Sequence, residues 1–469
     1  MKRITLLFLT FISLNMKAQI ADLATHNAIK DSIVEYYNQQ KFAKIYGLLS
    51  EGFQSQMTEN ELIAFFKNDI HNSEGKITKA DFLEKTTEAA VYKLQFEKSV
   101  LKMNLTVNNA KRIDGFSFVP FKEIVKATSN NPMQTDLDRT VDSMARLYID
   151  KENTAGMSIG ILKGGKTVVY HYGESDKTTK KIADNNTLYE IGSITKTFTG
   201  IILAHAVLEK KIDLETDIRK YLSEEYPNLQ YKNNPILIKH LTNHTSGIIS
   251  FPSLDVMSQK GYDAKNPYKN YTTEMVLAYL HKVKLDTAPG FKANYSNFAT
   301  GLMGIILEKT YNMTYEALVK KYITGPLSMK ATKINLSDDE LKIFASPYDK
   351  NGTLTNHWDL TGLGAAGAIR SNITDMLQYA KANMEASDAA LQLAQQSTFK
   401  RAKNRETGLY WQLDTNKKGQ LITWHNGGTG GFSTFCGFIK EKNIAVVILA
   451  NSENSVTQTA MDLLKVLNN

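Results

Sequence analysis

Apolar residues recur at helical spacing through the first part of the chain. Ile29, Ile33, Tyr36 and Tyr37 fall on one face, and Phe42, Ile45, Leu48 and Leu49 on the next. A third helix is expected from Thr58, a capping residue, with Leu62, Phe65 and Phe66 turned inward. From Gly75 to Phe121 the period falls to two. Tyr92, Leu94 and Phe96 alternate with Val91, Lys93, Gln95 and Glu97. Leu101, Met103, Leu105 and Val107 repeat the pattern, and Ile113, Phe116, Phe118 and Val119 close it. Helices followed by a strand meander predict a small α+β domain over residues 20–125. His26 and His71 stand alone within it and are expected at the surface.

Residues 126–135, KATSNNPMQT, are polar, contain a proline and read as a linker. A helix is expected from Asp136, with Leu137, Val141, Met144, Leu147 and Tyr148 on one stripe. Two strands follow, Met157–Lys163 and Lys166–Tyr172, joined at Gly164-Gly165, a hairpin signal. Then comes a long apolar helix with Phe198, Ile201, Ile202, Ala204 and Val207 at helical spacing. Residues 251–272 hold few apolar runs and are expected as surface loops. An apolar helix covers Leu302–Ile306. Near the end, Gln420–Trp424, Phe432–Ile439 and Ile444–Ala450 read as strands, and Val456–Leu467 as a helix. A two-strand start and a three-strand finish thus flank a helical middle. The ends of residues 136–469 are expected to share one antiparallel sheet, with the first and last helices packed on it.

Composition narrows the function classes. Hydrophobic residues make up 42% of the 469 and charged residues 22%, as in an ordinary globular chain. The first residues, MKRITLLFLTFISLNMKAQ, give a basic start at Lys2 and Arg3, an apolar run Ile4–Leu14 and a small residue at Ala18. This reads as a secretory signal peptide over residues 1–19, so a periplasmic or secreted location is expected. No cysteine near the cut suggests a lipid anchor, and no later stretch is apolar enough to span a bilayer. Formal net charge is +8; removing Lys2, Arg3 and Lys17 leaves 8 − 3 = +5. That mild excess contains no basic block, so nucleic acid is not an expected partner. Cys436, the single cysteine, lies in an apolar strand pattern and reads as core. No His, Cys and carboxylate cluster has metal-ligand spacing, and neither metal nor cofactor is expected. The sequence sets no oligomeric state.

The candidate chemistry lies at Ser193-Ile194-Thr195-Lys196. A serine one turn before a lysine at the head of a buried helix has two advantages. Its N–H sits where negative charge is stabilised, and a desolvated amine within reach can take its proton. The spacing alone is weak, because Ser73/Lys76, Ser99/Lys102 and Ser397/Lys400 match it as well. Only Ser193 opens a long apolar helix. Tyr295-Ser296-Asn297 is chosen in the same way over Tyr36/Asn38, Tyr231/Asn233 and Tyr268/Asn270. It alone follows a Pro-Gly turn and precedes a core helix. A third motif is the glycine-rich strand edge His425-Asn426-Gly427-Gly428-Thr429-Gly430-Gly431.

These three motifs, in this order, resemble the serine β-lactamase and penicillin-binding-protein superfamily. The similarity is greatest to the class C β-lactamase-like branch, which includes D-alanyl-D-alanine carboxypeptidases, D-aminopeptidases and esterases. KHLTNHTSG and AAGAIRSNITDM support it, and it covers about residues 135–469. The resemblance implies an antiparallel sheet flanked by helices plus a helical subdomain. It implies an acyl-enzyme on amide or ester substrates, with Ser193 as nucleophile and Lys196 as its proton acceptor or tuning group. Tyr295 corresponds to the base for acylation and deacylation, and Asn297 to the residue that orients the lysine and substrate amide. The N–H groups of Ser193 and Gly428 correspond to the oxyanion hole. His425 stands where many members carry the lysine of K-T-G, and Gly427 closes that motif. A neutral histidine is a weaker anchor for a carboxylate than an ammonium. The departure turns the expectation from potent β-lactamase activity toward peptidase or esterase. His244 reads as a helix-end residue, and Arg370, Ser371 and Asp375 as helix caps. The layout of residues 20–125 resembles the cone-shaped nuclear-transport-factor-2-like fold by element order. The alternative function is a non-catalytic binder or sensor of cell-wall fragments on the same fold.

Overall fold

The computed structural model describes residues 21–121 and 126–468, apart from Thr87, Gln259 and Ser387. The leader expected over residues 1–19 lies outside the described residues. Those described form two compact units, 21–121 and 126–468.

The smaller unit begins with helix Leu23–Asn38, capped where Asp22 accepts from the Thr25 N–H. Ile33 and Tyr37 are buried on its inner face. Thr58 and Glu61 form a reciprocal capping box at helix Glu59–Ala64, which runs into a π-helical turn over Phe65–His71. Four antiparallel strands follow in sequential order: Ile77–Lys85, Ala90–Phe96, Val100–Val107 and Ile113–Pro120. The helices and one face of this sheet share a core that contains Ile33, Tyr37, Phe66, Tyr92 and Met103. Two expectations fail here. His26 is fully buried, its Nδ1 2.9 Å from the Asp22 carbonyl and its Nε2 accepting from the Val107 N–H at 3.2 Å. His71 is half-buried against the Tyr37 and Phe42 rings. An isolated histidine can enter a core when the backbone supplies both ring partners.

The larger unit is built on a nine-stranded antiparallel sheet. Its order is Phe399–Ala402, Arg405–Thr407, Gln412–Thr415, Leu421–Gly428, Ser433–Ile439, Ile444–Ala450, Gly156–Lys163, Lys166–Asp176 and Lys181–Ile182. Ile444–Ala450 pairs with Gly156–Lys163 in the register Ile448↔Ile159, so the two ends of the unit meet in one sheet. The central strands read as apolar runs because both faces are covered. Met157, Ile159, Ile161, Val446 and Ile448 face helices Asp136–Ile149 and Thr457–Leu467. The alternate residues Leu162, Ala445, Val447 and Leu449 join the core of Thr195–Leu208 and Ile373–Glu385. Cys436 is buried on that second face.

Several elements differ from the sequence pattern. The three strands before Leu421 went unread, since they are short and lie at a sheet edge where few side chains are buried. Helix Asp136–Ile149 buries Val141, Ala145, Tyr148 and Ile149, while Leu147 is 76% exposed on the opposite side. Residues 251–272 are not merely surface loop. They contain helix Ser253–Met257, and Tyr268 and Tyr271 are buried. Asn372, rather than Arg370 or Asp375, caps helix Ile373–Glu385 by accepting from the Asp375 N–H. The polar stretch 126–135 belongs to the larger unit, where Thr128 O accepts from Gly173 N and Asn130 N donates to His171 O.

Candidate active site

Ser193 sits in a 3₁₀ turn, Gly192–Ile194, that leads directly into helix Thr195–Leu208. One turn on, Lys196 is fully buried. Its Nζ lies 3.0 Å from Ser193 Oγ, 2.7 Å from Asn297 Oδ1 and 2.7 Å from the Ala366 carbonyl. None of these partners is a carboxylate. Desolvation therefore acts unopposed and holds the amine well below the usual lysine range.

The second motif is ordered by a helix start. Ser296 caps helix Asn297–Tyr311, accepting from the Ala299 N–H at 2.9 Å and donating its own hydroxyl to Ile249 O at 2.8 Å. Tyr295 precedes the cap and Asn297 is the first helical residue, so both reach the same serine–lysine pair. The Tyr295 hydroxyl lies 2.6 Å from Ser193 Oγ, and Lys196 Nζ stands 4.8 Å from the centre of its ring. The ring is partly open to solvent while the hydroxyl points inward, and burial pushes the phenol up.

The strand edge is held against the Ser193 turn by close backbone approach. A Cβ on Gly427 would lie 2.0 Å from the Ile191 carbonyl, to which Thr434 Oγ1 donates at 2.8 Å. A Cβ on Gly192, whose φ is +51°, would lie 2.7 Å from Gly428 N. Glycine at both positions lets the strand and the turn touch. Ser193, Asn297 and Gly428 thus line one opening, together with Gly367 and Thr429. Gly427 lies behind it. His425 is 1% exposed, its Nδ1 2.6 Å from the Asn426 carbonyl and its Nε2 without a partner among the described residues. Burial pushes this imidazole down to about 3, helped by the Lys196 charge.

Other residues meet here that the motifs did not single out. His244 is not simply a helix-end residue. It is buried at φ +62° with its ring 4.5 Å from that of Tyr295, and its Nδ1 accepts from the Ser296 N–H at 3.3 Å. Burial and the neighbouring Lys196 hold it well below the usual histidine range. Its signal was present, a histidine beside a turn in NHTSG. Tyr268, set aside as a chance Y-x-N match, lines the opening beside Trp358 and Leu360. Trp358 has no local signal, because residues far away in sequence place it. Glu190 Oε1 accepts from its backbone N–H at 2.8 Å, and its Nε1 donates to Lys265 O at 3.1 Å.

Comparison with known proteins identifies the family of the larger unit. A family model described as Beta-lactamase matches residues 138–467. A β-lactamase of Providencia stuartii is 29% identical over 353 residues, covering 66% of this chain and 86% of its own. Protein flp of Staphylococcus aureus strain MRSA252 is 27% identical over 335 residues, covering 68% and 64%. Among solved structures, a class C β-lactamase superposes with a TM-score of 0.62 at 24% identity, over 72% of this chain and 99% of that one. A β-lactamase/D-alanine carboxypeptidase from Pseudomonas syringae gives a TM-score of 0.61 at 23% identity, over 71% and 99%.

Proposed function

Because the chain belongs to the β-lactamase family, we propose that it is an exported serine hydrolase forming an acyl-enzyme on Ser193 from an amide or ester. One observation carries this reading. Ser193 Oγ is held between Lys196 Nζ at 3.0 Å and Tyr295 Oη at 2.6 Å, with the lysine desolvated.

The two groups have different tasks. A neutral Lys196 uses its two N–H bonds on Asn297 Oδ1 and Ala366 O. Its lone pair then faces Ser193, so Lys196 takes the serine proton as Oγ bonds to the substrate carbonyl carbon. Tyr295, with its phenol held protonated, donates to Oγ and passes a proton to the leaving group, refilled from Lys196. The N–H groups of Ser193 and Gly428 receive the oxyanion. Water then attacks the acyl carbon, the Oγ–C bond breaks, and the proton returns to Ser193. The leader pattern at residues 1–19 supports export. A binder without chemistry would not need a lysine buried with no counter-ion, which costs stability.

Intact-mass measurement after a fluorophosphonate tests the reading. One adduct is expected, with none on Ser193→Ala, whose ester turnover falls by at least ~10³-fold. An adduct that persists in Ser193→Ala overturns it.

A further inference from the structure

The walls of the opening carry a second message. Tyr268 and Trp358 stand edge to face with ring centres 5.1 Å apart, and Phe251 packs on Tyr268 at 4.6 Å. Leu360 and Ala366 complete that side. The corner is rigid, since Trp358 is tied at both its backbone and its indole N–H. A Cβ on Gly430 would lie 2.6 Å from that indole nitrogen, so the glycine-rich strand edge closes directly on the ring. Among the described residues that line the opening, none is charged.

Two exposed apolar residues lie close to the second motif along the chain or through a hydrogen bond. Phe291, four residues before Tyr295, is 75% exposed. Ile249, whose carbonyl holds Ser296, is 42% exposed. Beside the glycine-rich strand edge, His425 is buried and its burial disfavours the cation. Arg401, which acts on His425 through its charge, has its guanidinium 3.7 Å from the Asp414 carboxylate. Its charge is already partnered.

We infer that the substrate is uncharged where it meets this corner, an apolar or aromatic ester or amide without a free carboxylate there. This deepens the serine-hydrolase reading and rests on it. A carboxylate pressed into an uncharged aromatic corner loses hydration with nothing to replace it. A neutral ring gains apolar contact with Tyr268 and Trp358 instead. In the acylation step Ser193 Oγ bonds to the acyl carbon and the ester C–O bond breaks. The serine proton, carried by Lys196 and Tyr295, leaves on the released alcohol.

The test uses the full-length protein and a matched pair, 3-butyryloxybenzoic acid and its methyl ester. The two differ only in the carboxylate. Rates are divided by those of spontaneous hydrolysis. The methyl ester is expected to have at least a tenfold higher kcat/KM, and Trp358→Ala to raise KM for it more than it lowers kcat. Equal rates, preference for the acid, or hydrolysis of neither compound overturns the proposal. A preference for the acid that disappears in Arg401→Gln would identify Arg401 as the missing anchor. Labelling of Ser193 by fluorophosphonate is scored separately. Its absence overturns the underlying reading rather than the preference for neutral substrates.

Discussion

Two regions, one in the smaller unit and one in the larger, treat buried polar groups in opposite ways. In the smaller one, buried His26 has both ring nitrogens paired with backbone, and the Tyr37 hydroxyl donates to Gly75 O at 2.8 Å. Its left-handed non-glycine residues, Gln40 and Lys111, lie in exposed turns. Around Ser193 the pattern reverses. His244 and Tyr410 are buried and left-handed, at φ +62° and +69°. The Nε2 atoms of His244 and His425 and the Thr429 hydroxyl have no partner among the described residues. Lys196 is buried without a carboxylate. Each left-handed residue costs roughly 1–3 kcal/mol and persists only where its surroundings over-determine it. The paired groups of His26 and Tyr37 serve the fold. Those around Ser193 are held at a cost to it, which is how a reactive site differs from a scaffold.

The comparison breaks most sharply at the two groups on Ser193. Lys196→Met and Tyr295→Phe should each lower kcat/KM on one ester by about 10²–10⁴-fold. Their combination should fall far short of the product, because both act on one proton. Lys196 works in its neutral form, and its pKa is depressed. Activity should therefore be full above that lowered value and fall as pH drops through it. Lys196→Met should also raise Tm at neutral pH, since it removes the buried amine. Near-wild-type turnover in Tyr295→Phe would make Tyr295 a packing residue.

Two histidines then sharpen the contrast. His244→Ala should lower kcat by roughly 10–100-fold with little change in KM, because the Tyr295 ring loses its support. His244→Phe keeps a ring there and should recover part of kcat. His26→Ala should leave kcat unchanged and instead cost about 1–3 kcal/mol of stability, read by denaturant unfolding of the smaller unit. A kcat loss at His26, or a purely thermal effect at His244, would erase the distinction.

The smallest effect is expected from removing the smaller unit. The described residues that line the opening at Ser193 all belong to the larger unit, which has its own cores. We propose that a chain beginning at Val125 keeps ester hydrolysis within about tenfold, or 1.4 kcal/mol of barrier. A folded, soluble but inactive product would show that the smaller unit completes the site.

Local pattern was enough to locate the nucleophile. Ser193 and Lys196 are one turn apart on a helix whose apolar run is visible in the sequence, and Tyr295 and Asn297 flank a capping serine. The apolar strands Ser433–Ile439 and Ile444–Ala450 were legible because both of their faces are covered. The edge strand Phe399–Ala402 and its neighbour Arg405–Thr407 were not, since strands of four and three residues with few buried side chains leave little hydrophobic period. Only tertiary structure could decide that Ala366 O completes the shell of Lys196, that His425 turns inward, and that Trp358 and Tyr268 wall the opening. Those positions depend on contacts across long stretches of chain, such as Glu190 with Trp358 and Gly427 with Ile191. Sequence spacing encodes what neighbours along one helix or strand can reach. Which groups lose their water when separate elements close on each other is settled by the packed fold, and that loss sets the charge of Lys196 and His425.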